Sequence, residues 1–253
     1  MKKKQKQPII ALAPIEYYSV HKGHNVAKIK QYIGLAKKAK ADIVCFPESC
    51  IKRQGKLAIT DKFIKAIREE CKQNSIWCII TEDIAIGEKT YNMSILIDRQ
   101  GKIQGDYKKI NLYGDYRVTP GNKIKVFQTD FAKIGIAICW DLTYPNLFSK
   151  MWKKGAEIVF CPAMWNYDQV SHDKAHKKRE TQILRAMTLA RAHENIFYVA
   201  LCNPLVKKSK TQISYSAIAN PHRIVKELID KEGILTAKVD LKEIKRFRKY
   251  YLK

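Results

Sequence analysis

The chain has 253 residues, of which 46% are hydrophobic and 10% aromatic, so its composition is that of a folded protein and excludes a disordered chain. The formal net charge is +24, but most of the 48 basic residues are lysines scattered along the chain, which does not favour specific nucleic-acid binding. No run of about 18 apolar residues occurs, so no membrane span is predicted. Seven cysteines without a CxxC pair favour reduced thiols and a cytoplasmic protein.

Apolar runs that predict buried strands alternate with segments of helical spacing. In chain order we predict strands over 8–14, 43–46, 77–81, 91–98, a strand-like segment up to Lys108, and strands over 134–138, 158–160, 197–201, 215–219 and 235–239. Helices are predicted over 25–40, 61–74, 145–155 and 172–195, with a basic C-terminal helix. Strands that are apolar on both faces need cover on both sides, which predicts a layered α/β fold. No repeat or linker divides the chain, so one domain over residues 1–253 is predicted.

Three of these extended segments end on a reactive side chain. The run 43–46 ends on Pro47-Glu48, the strand-like segment that leads up to Tyr107 ends on Lys108-Lys109, and the run 134–138 ends on Cys139. Reactive groups of α/β proteins collect where strands end, so we expect a carboxylate, an ammonium and a thiol in one site.

Together the three groups could cleave an amide. A carboxylate beside a thiol can take its proton during attack on a carbonyl carbon and return that proton to the leaving amine. An ammonium can stabilise the oxyanion that forms, with the backbone N–H of Trp140 as a second donor. A buried core thiol is the alternative reading of Cys139.

The segments around these residues, FPE, YKKINL and GIAICWDLTYP, resemble the nitrilase, or carbon–nitrogen hydrolase, superfamily. The resemblance continues through KGAEIVFCPA, RAMTLARAHENIFYVALCN and EGILTAKVDL and covers nearly the whole chain. It implies a four-layer α-β-β-α sandwich, a Glu–Lys–Cys triad, no metal or organic cofactor, and a homodimer or higher homo-oligomer. It also implies hydrolysis of a non-peptide amide more often than of a nitrile.

The resemblance assigns the catalytic lysine to Lys109, and strand alternation puts the neighbouring lysine on the opposite face. Two positions depart from the family pattern. Asn111 stands where the family usually has His, and Gly114 stands where many members have a second Glu before the Pro-Gly turn. Asp115, one place closer to that turn, is a candidate auxiliary acid.

Several further residues are expected near the reaction centre. Asp141 is expected to form a structural ion pair, with Arg185 or Arg191 as candidate partners. His172 and His176 lack the pattern of a zinc motif, so no metal site is predicted. The predicted substrate-binding residues, for which core or capping roles are the alternative, are Tyr113, Thr143, Tyr144, Trp165 and Asn166.

These patterns predict a cytoplasmic cysteine amidohydrolase that acts on a small carboxamide or N-carbamoyl compound through a thioester at Cys139. Two alternatives keep the same scaffold. One is an amide or acyl transferase, in which an amine replaces water, and the other is a catalytically weak binding protein, suggested by Asn111 and the missing Glu. A polyanion-binding protein, suggested by the net charge of +24, is the third alternative.

Overall fold

The computed structural model of the chain describes residues 7–17, 23–52, 55–114, 117–166, 176–207, 209 and 211–251. The strands are β1 (Ile9–Leu12), β2 (Ile43–Glu48), β3 (Leu57–Ala58), β4 (Trp77–Ile86), β5 (Lys89–Ile97), β6 (Ile103–Lys108), β7 (Val126–Gln128), β8 (Lys133–Ile136), β9 (Ile158–Pro162), β10 (Tyr198–Cys202), β11 (Tyr215–Ala219), β12 (Ile224–Ile229) and β13 (Leu235–Lys238). The α-helices are α1 (Val26–Lys38), α2 (Lys62–Asn74), α3 (Pro145–Lys153), α4 (His176–Asn195) and α5 (Leu241–Tyr251).

The strands form two sheets. The first has the order β13-β1-β2-β4-β5-β6, with β3 added beside β4, and the second has the order β12-β11-β10-β9-β8-β7. In the first sheet β1, β2 and β4 run parallel, whereas β5 and β6 continue from β4 as antiparallel strands. In the second sheet β8, β9 and β10 are the parallel strands. Both sheets are therefore mixed.

Alternating side chains of the central strands belong to two different cores. Ile43 and Cys45 of β2 pack with apolar residues of the second sheet, such as Phe160, in the core between the sheets. Val44 and Phe46 of the same strand pack instead with residues of α1 and α2. Helices α3 and α4 contact each other, and α4 lies against β10 and β11. The layers therefore run helix, sheet, sheet, helix, which confirms the predicted α-β-β-α sandwich.

Local structure departs from the predicted elements at two places that matter for the site. Strand β4 continues to Ile86 and forms a long hairpin with β5, where the apolar run alone predicted an end at Thr81. Strand β8 ends at Ile136, and Cys139 begins a short 3₁₀ helix, Cys139–Thr143, rather than ending the strand itself. None of the helices within the described ranges has the length and apolar content of a membrane span.

Candidate active site

Glu48 ends β2 and is 5% exposed. Its Oε1 accepts a hydrogen bond from Lys109 Nζ at 2.9 Å, and its Oε2 accepts one from the backbone N–H of Met164 at 3.0 Å. Met164 follows β9 of the second sheet, so one carboxylate joins the ends of strands from both sheets. A buried carboxylate needs such donors, because burial without them is costly.

Lys109 directly follows β6, and its backbone is fixed on both sides. Its N–H donates to the carbonyl of Asn92 at 2.9 Å, and its own carbonyl accepts from Gly121 N at 2.7 Å. A Cβ at Gly121 would lie 2.3 Å from the carbonyl oxygen of Lys108, so the Pro-Gly turn can approach this closely only with glycine. The neighbouring Lys108 lies on the opposite side, 3.7 Å from the centre of the Tyr91 ring.

The Lys109 ammonium keeps its charge despite burial. Burial alone would lower the pKa of Lys109, but the negative charge of Glu48 and the hydrogen bond to it outweigh burial and raise the pKa above its ordinary value. The ion pair is well shielded, since the two side chains are 9% and 6% exposed. The site therefore holds a positive charge at neutral pH.

Cys139 is the first residue of the 3₁₀ helix and has a φ of 48°, in the left-handed region that L residues adopt rarely. It is 8% exposed. The pKa of its thiol is raised to about 12, mainly by burial and then by the charge of Glu48. Lys109 and the Met164 N–H act in the opposite direction. At neutral pH the thiol therefore keeps its proton until a base removes it, and Glu48 is within hydrogen-bond reach of it.

Asp141 is fully buried, and the prediction that it forms an ion pair with Arg185 or Arg191 is wrong. Arg185 pairs with Glu227 at 3.1 Å, and Arg191 pairs with Glu194 at 3.1 Å. The Asp141 carboxylate instead accepts hydrogen bonds from neutral donors: Asn111 N, Asn111 Nδ2, Ile138 N and Tyr107 Oη.

A cavity of about 180 Å³ opens over the three candidate catalytic side chains. Its lining residues in the described part of the chain are Glu48, Ser49, Asp83, Asn92, Lys109, Leu112, Tyr113, Arg117, Val118, Cys139, Trp140, Met164, Trp165 and Asn166. The structure thus brings together Glu48, Lys109 and Cys139 in one cavity wall. Asp115 lies outside the described residues.

Three of the predicted substrate-binding residues line this cavity, and two do not. Tyr113, Trp165 and Asn166 belong to its wall. Thr143 donates its hydroxyl to the carbonyl of Trp140 at 2.9 Å, and Tyr144 precedes α3 with 43% of its surface exposed. Thr143 therefore has a local role in holding the 3₁₀ helix.

Three aromatic rings form a continuous side of the cavity. The Tyr113 and Trp140 ring centres are 4.6 Å apart, and those of Trp140 and Trp165 are 5.3 Å apart. Trp165 is fixed further by its indole N–H, which donates to Glu180 of α4 at 3.2 Å. Tyr113 is 55% exposed and Trp165 is 4% exposed, so the stack runs from the surface to the interior.

Sequence reasoning missed several cavity residues. Asp83 and Asn92 lie inside the β4–β5 hairpin and are joined by a hydrogen bond of 3.1 Å. Met164, whose N–H binds Glu48, follows the end of β9, so the same strand-end rule could have found it. Arg117 lies in the irregular segment before the Pro-Gly turn, where no periodic pattern points to it.

The family model for carbon–nitrogen hydrolases matches residues 9–249. The chain belongs to the carbon–nitrogen hydrolase family. Among curated relatives of this family member, 2-oxoglutaramate amidase of Bacillus subtilis is 28% identical over 65% of this chain and 62% of its own length. N-carbamoylputrescine amidase of Arabidopsis thaliana is 35% identical over 62% of this chain and 58% of its own length. The carbon–nitrogen hydrolase chain thus spans about three fifths of the length of these relatives.

Solved structures share the fold. Nit3 of Saccharomyces cerevisiae, a member of the nitrilase superfamily, superimposes on this carbon–nitrogen hydrolase with a TM-score of 0.82 at 22% identity, covering 97% of this chain and 94% of Nit3. A mutant amidase of Nesterenkonia sp. AN1 has a TM-score of 0.77 at 18% identity and covers 98% of both chains. In that mutant the acetamide moiety of fluoroacetamide is attached to the active-site cysteine.

Proposed function

We propose that the chain hydrolyses a C–N bond of a small carboxamide or N-carbamoyl compound, with Cys139 as the nucleophile. The observation that carries this proposal is the buried Glu48–Lys109 pair, 2.9 Å apart, on the wall of the same cavity as the Cys139 thiol. The names of the relatives, 2-oxoglutaramate amidase and N-carbamoylputrescine amidase, support this substrate class.

The acylation step begins with proton transfer. Because the pKa of the Cys139 thiol is raised to about 12, Glu48 must take the proton as the sulfur attacks the carbonyl carbon. A C–S bond forms, and the carbonyl oxygen becomes an oxyanion. Lys109 Nζ and the backbone N–H of Trp140 stabilise that charge.

The same groups complete acylation and then carry out deacylation. The tetrahedral intermediate collapses, the C–N bond breaks, and Glu48 returns its proton to the leaving nitrogen, so that ammonia departs and a thioester remains on Cys139. Water then gives a proton to Glu48 while its oxygen attacks the thioester carbon. The C–S bond breaks, the sulfur takes the proton back, and the acid product leaves the enzyme in its starting state.

We also propose that residues 1–253 form one domain in a cytoplasmic homodimer or higher homo-oligomer. All seven cysteines are free and buried, which is typical of a reducing compartment. Ile183 of α4 and Ile229 of β12 are 46% and 48% exposed, and a second copy that packs on this layer would cover them. Sedimentation velocity over a range of protein concentrations tests this assembly.

The activity is tested by ammonia release from a panel of ω-amides, carbamoyl amines and nitriles. Wild type should release ammonia from at least one amide, and Cys139→Ala should release none. Cys202→Ala is the matched control, because it removes a buried thiol of β10 that does not line the cavity. Mass spectrometry of a quenched reaction should detect the acyl group on the Cys139 peptide.

Two results would contradict the proposal. Amide hydrolysis that survives in Cys139→Ala would remove the thiol from the mechanism. Formation of a hydroxamate from amide and hydroxylamine, with no acid formed in water alone, would favour a transferase on the same scaffold.

A further inference from the structure

Asp141 is a buried carboxylate that the proposed chemistry does not use. It is fully buried, lies two residues after Cys139, and accepts four hydrogen bonds. Oδ1 accepts from Asn111 N and Asn111 Nδ2, both at 2.8 Å. Oδ2 accepts from Tyr107 Oη at 2.7 Å and from Ile138 N at 3.0 Å. All four donors are neutral groups.

Two of these hydrogen-bond partners lie on either side of Lys109 in the sequence. Tyr107 precedes Lys109 by two residues, and Asn111 follows it by two. The chain on both sides of the ammonium is therefore tied to a single carboxylate. Since Asn111 contributes its backbone N–H as well as its side chain, this segment is fixed in orientation as well as in distance.

The remaining partner fixes the cysteine. The Ile138 N–H donates to the Asp141 side chain, and the Asp141 N–H donates to the Ile138 carbonyl at 3.0 Å. These two bonds close the turn in which Cys139 has its φ of 48°. A left-handed conformation at a residue other than glycine persists only when its surroundings hold it. The Asp141 side chain is part of those surroundings.

Only a carboxylate fits this position. An ionised carboxylate has about four acceptor sites and no donor, whereas an amide side chain would turn two N–H groups toward groups that already donate. Burial raises the pKa of the Asp141 carboxyl, but the hydrogen bonds from Ile138, Asn111 and Tyr107 favour its ionised form. The four donors thus replace the cation that a buried carboxylate commonly has.

We propose that Asp141 is a positioning residue that sets the Lys109 ammonium relative to the Cys139 thiol. It acts through Tyr107 and Asn111 on one side and through the 138–141 turn on the other. Asn111, which stands where the family usually has His, donates two of the four hydrogen bonds to Asp141. The inference rests on the proposed amide hydrolysis for its kinetic effect, but its geometric effect on the thiol can be measured without a substrate.

The test compares Asp141→Asn with Asp98→Asn. Asp98 is the matched control because it is 5% exposed and also accepts only neutral donors, from Gln100 N, Lys102 N and Gln104 Nε2, in a turn away from the cavity. Asp141→Asn should lower kcat by about 10–100-fold and leave KM within about twofold of wild type. Misplaced catalytic groups slow the chemical step but leave substrate binding almost unchanged. Asp98→Asn should leave both parameters near wild type.

A second readout separates positioning from a simple charge effect. Loss of a nearby negative charge would by itself lower the pKa of the Cys139 thiol and speed its alkylation by iodoacetamide at pH 9. Displacement of Lys109 would raise that pKa and slow alkylation. We expect slower alkylation in Asp141→Asn. Tyr107→Phe, which loses one of the four bonds, should show a smaller kcat loss of about threefold to tenfold, and the double variant should be little worse than Asp141→Asn alone.

The outcomes that overturn the inference are distinct from those that overturn the proposed function. Three results would each contradict the positioning role. They are a wild-type kcat in Asp141→Asn, an equal loss of kcat in Asp98→Asn, and faster alkylation of Cys139 in Asp141→Asn. If wild type hydrolyses no amide at all, the proposed function fails, and the direction of the alkylation change alone then decides for or against the role of Asp141. If Asp141→Asn does not fold, Tyr107→Phe supplies both readouts.

Discussion

Glu48 and Glu82 lie almost side by side, yet they differ in their charged neighbours and in their access to the cavity. Glu48 is paired with Thr81 across β2 and β4, and Glu82 is the next residue of β4. The two side chains are 5% and 1% exposed. Glu48 faces an ammonium and an open cavity. Glu82 faces the backbone N–H groups of Ile51 and Lys52 in the loop that follows Glu48.

The difference shows what makes a buried carboxylate reactive. Both glutamates satisfy their oxygens and each has a thiol within hydrogen-bond reach, Cys139 for Glu48 and Cys50 for Glu82. Among the described residues, only Glu48 of the two forms an ion pair with a cation. Burial raises the pKa of Glu82 well above its ordinary value, against the effect of the backbone donors. Glu82 therefore orders a loop outside the cavity, whereas Glu48 lies beside a cation and a thiol that both line the cavity. Replacing each glutamate by glutamine in turn measures this difference.

The largest expected effect is on turnover in Glu48→Gln. This variant should lose about 10³-fold in kcat, because it lacks the proposed general base and such groups contribute about 10²–10⁴-fold. Steady-state ammonia release on the best amide gives the value. Glu82→Gln keeps an acceptor oxygen for the loop N–H groups, and its kcat should stay within about threefold of wild type. Equal losses of kcat in the two variants would show that the neighbouring cation does not distinguish the two buried glutamates in catalysis.

The second effect concerns the cation of the Glu48 pair. Lys109→Met should lose about 10²–10³-fold in kcat, as expected when an oxyanion donor is removed. It should also lose about 3–5 kcal/mol of unfolding free energy at pH 7, because a buried carboxylate is left without its partner. Urea unfolding measures the second quantity.

Lys108→Met is the matched control for that loss of stability. Lys108 is the adjacent residue, but its ammonium lies over the Tyr91 ring, outside the cavity that Lys109 lines. Its removal should cost about 0.5–1 kcal/mol and leave kcat unchanged. If the two variants had the same free energy of unfolding, the Glu48–Lys109 pair would stabilise the fold no more than the contact of Lys108 with the Tyr91 ring.

The layered fold could be predicted from the apolar runs of the sequence, and the candidate site groups from the polar residues that follow those runs. Glu48 and Cys139 follow apolar runs whose burial is visible in the sequence, and the family pattern distinguishes Lys109 from its neighbour. Asp83 and Asn92 could not be found in this way. Asp83 follows two other polar residues, Thr81 and Glu82, which indicate the end of a strand. Asn92 lies where polar and apolar residues alternate in β5, as they would on a strand with one face in solvent.

The partners of Asp141 were also beyond sequence reasoning, for a different reason. Ion pairs are proposed from charged residue types, which led to Arg185 and Arg191. The actual donors are two backbone N–H groups, a hydroxyl and an amide, and a backbone donor leaves no mark in the sequence. Which N–H groups converge on one carboxylate is decided only when two distant segments meet.

The third prediction separates reactivity of the thiol from catalysis. Since the pKa of Cys139 is raised to about 12, its alkylation by iodoacetamide should speed up about tenfold per pH unit between pH 7 and 10. The charge of Glu48 and its hydrogen bond both raise that pKa. Glu48→Gln should therefore be alkylated about tenfold faster than wild type at pH 8, although it hydrolyses amides far more slowly. Glu82→Gln should react like wild type, and slower alkylation of Glu48→Gln would contradict the assigned geometry.

The smallest effect is a change of stability with pH in Glu82→Gln. The folded protein holds the Glu82 proton at pH values where the unfolded chain, with an ordinary pKa near 4.3, has lost it. The stabilising contribution of this group is therefore complete below about pH 4 and declines as pH rises, by at most about 1.4 kcal/mol per unit. Glutamine has no proton to lose, so the stability of Glu82→Gln relative to wild type should increase from pH 5 to pH 8 in urea unfolding. A difference that stays constant over this range would mean that Glu82 is ionised in the folded protein, and the contrast with Glu48 would then rest on the neighbouring cation alone.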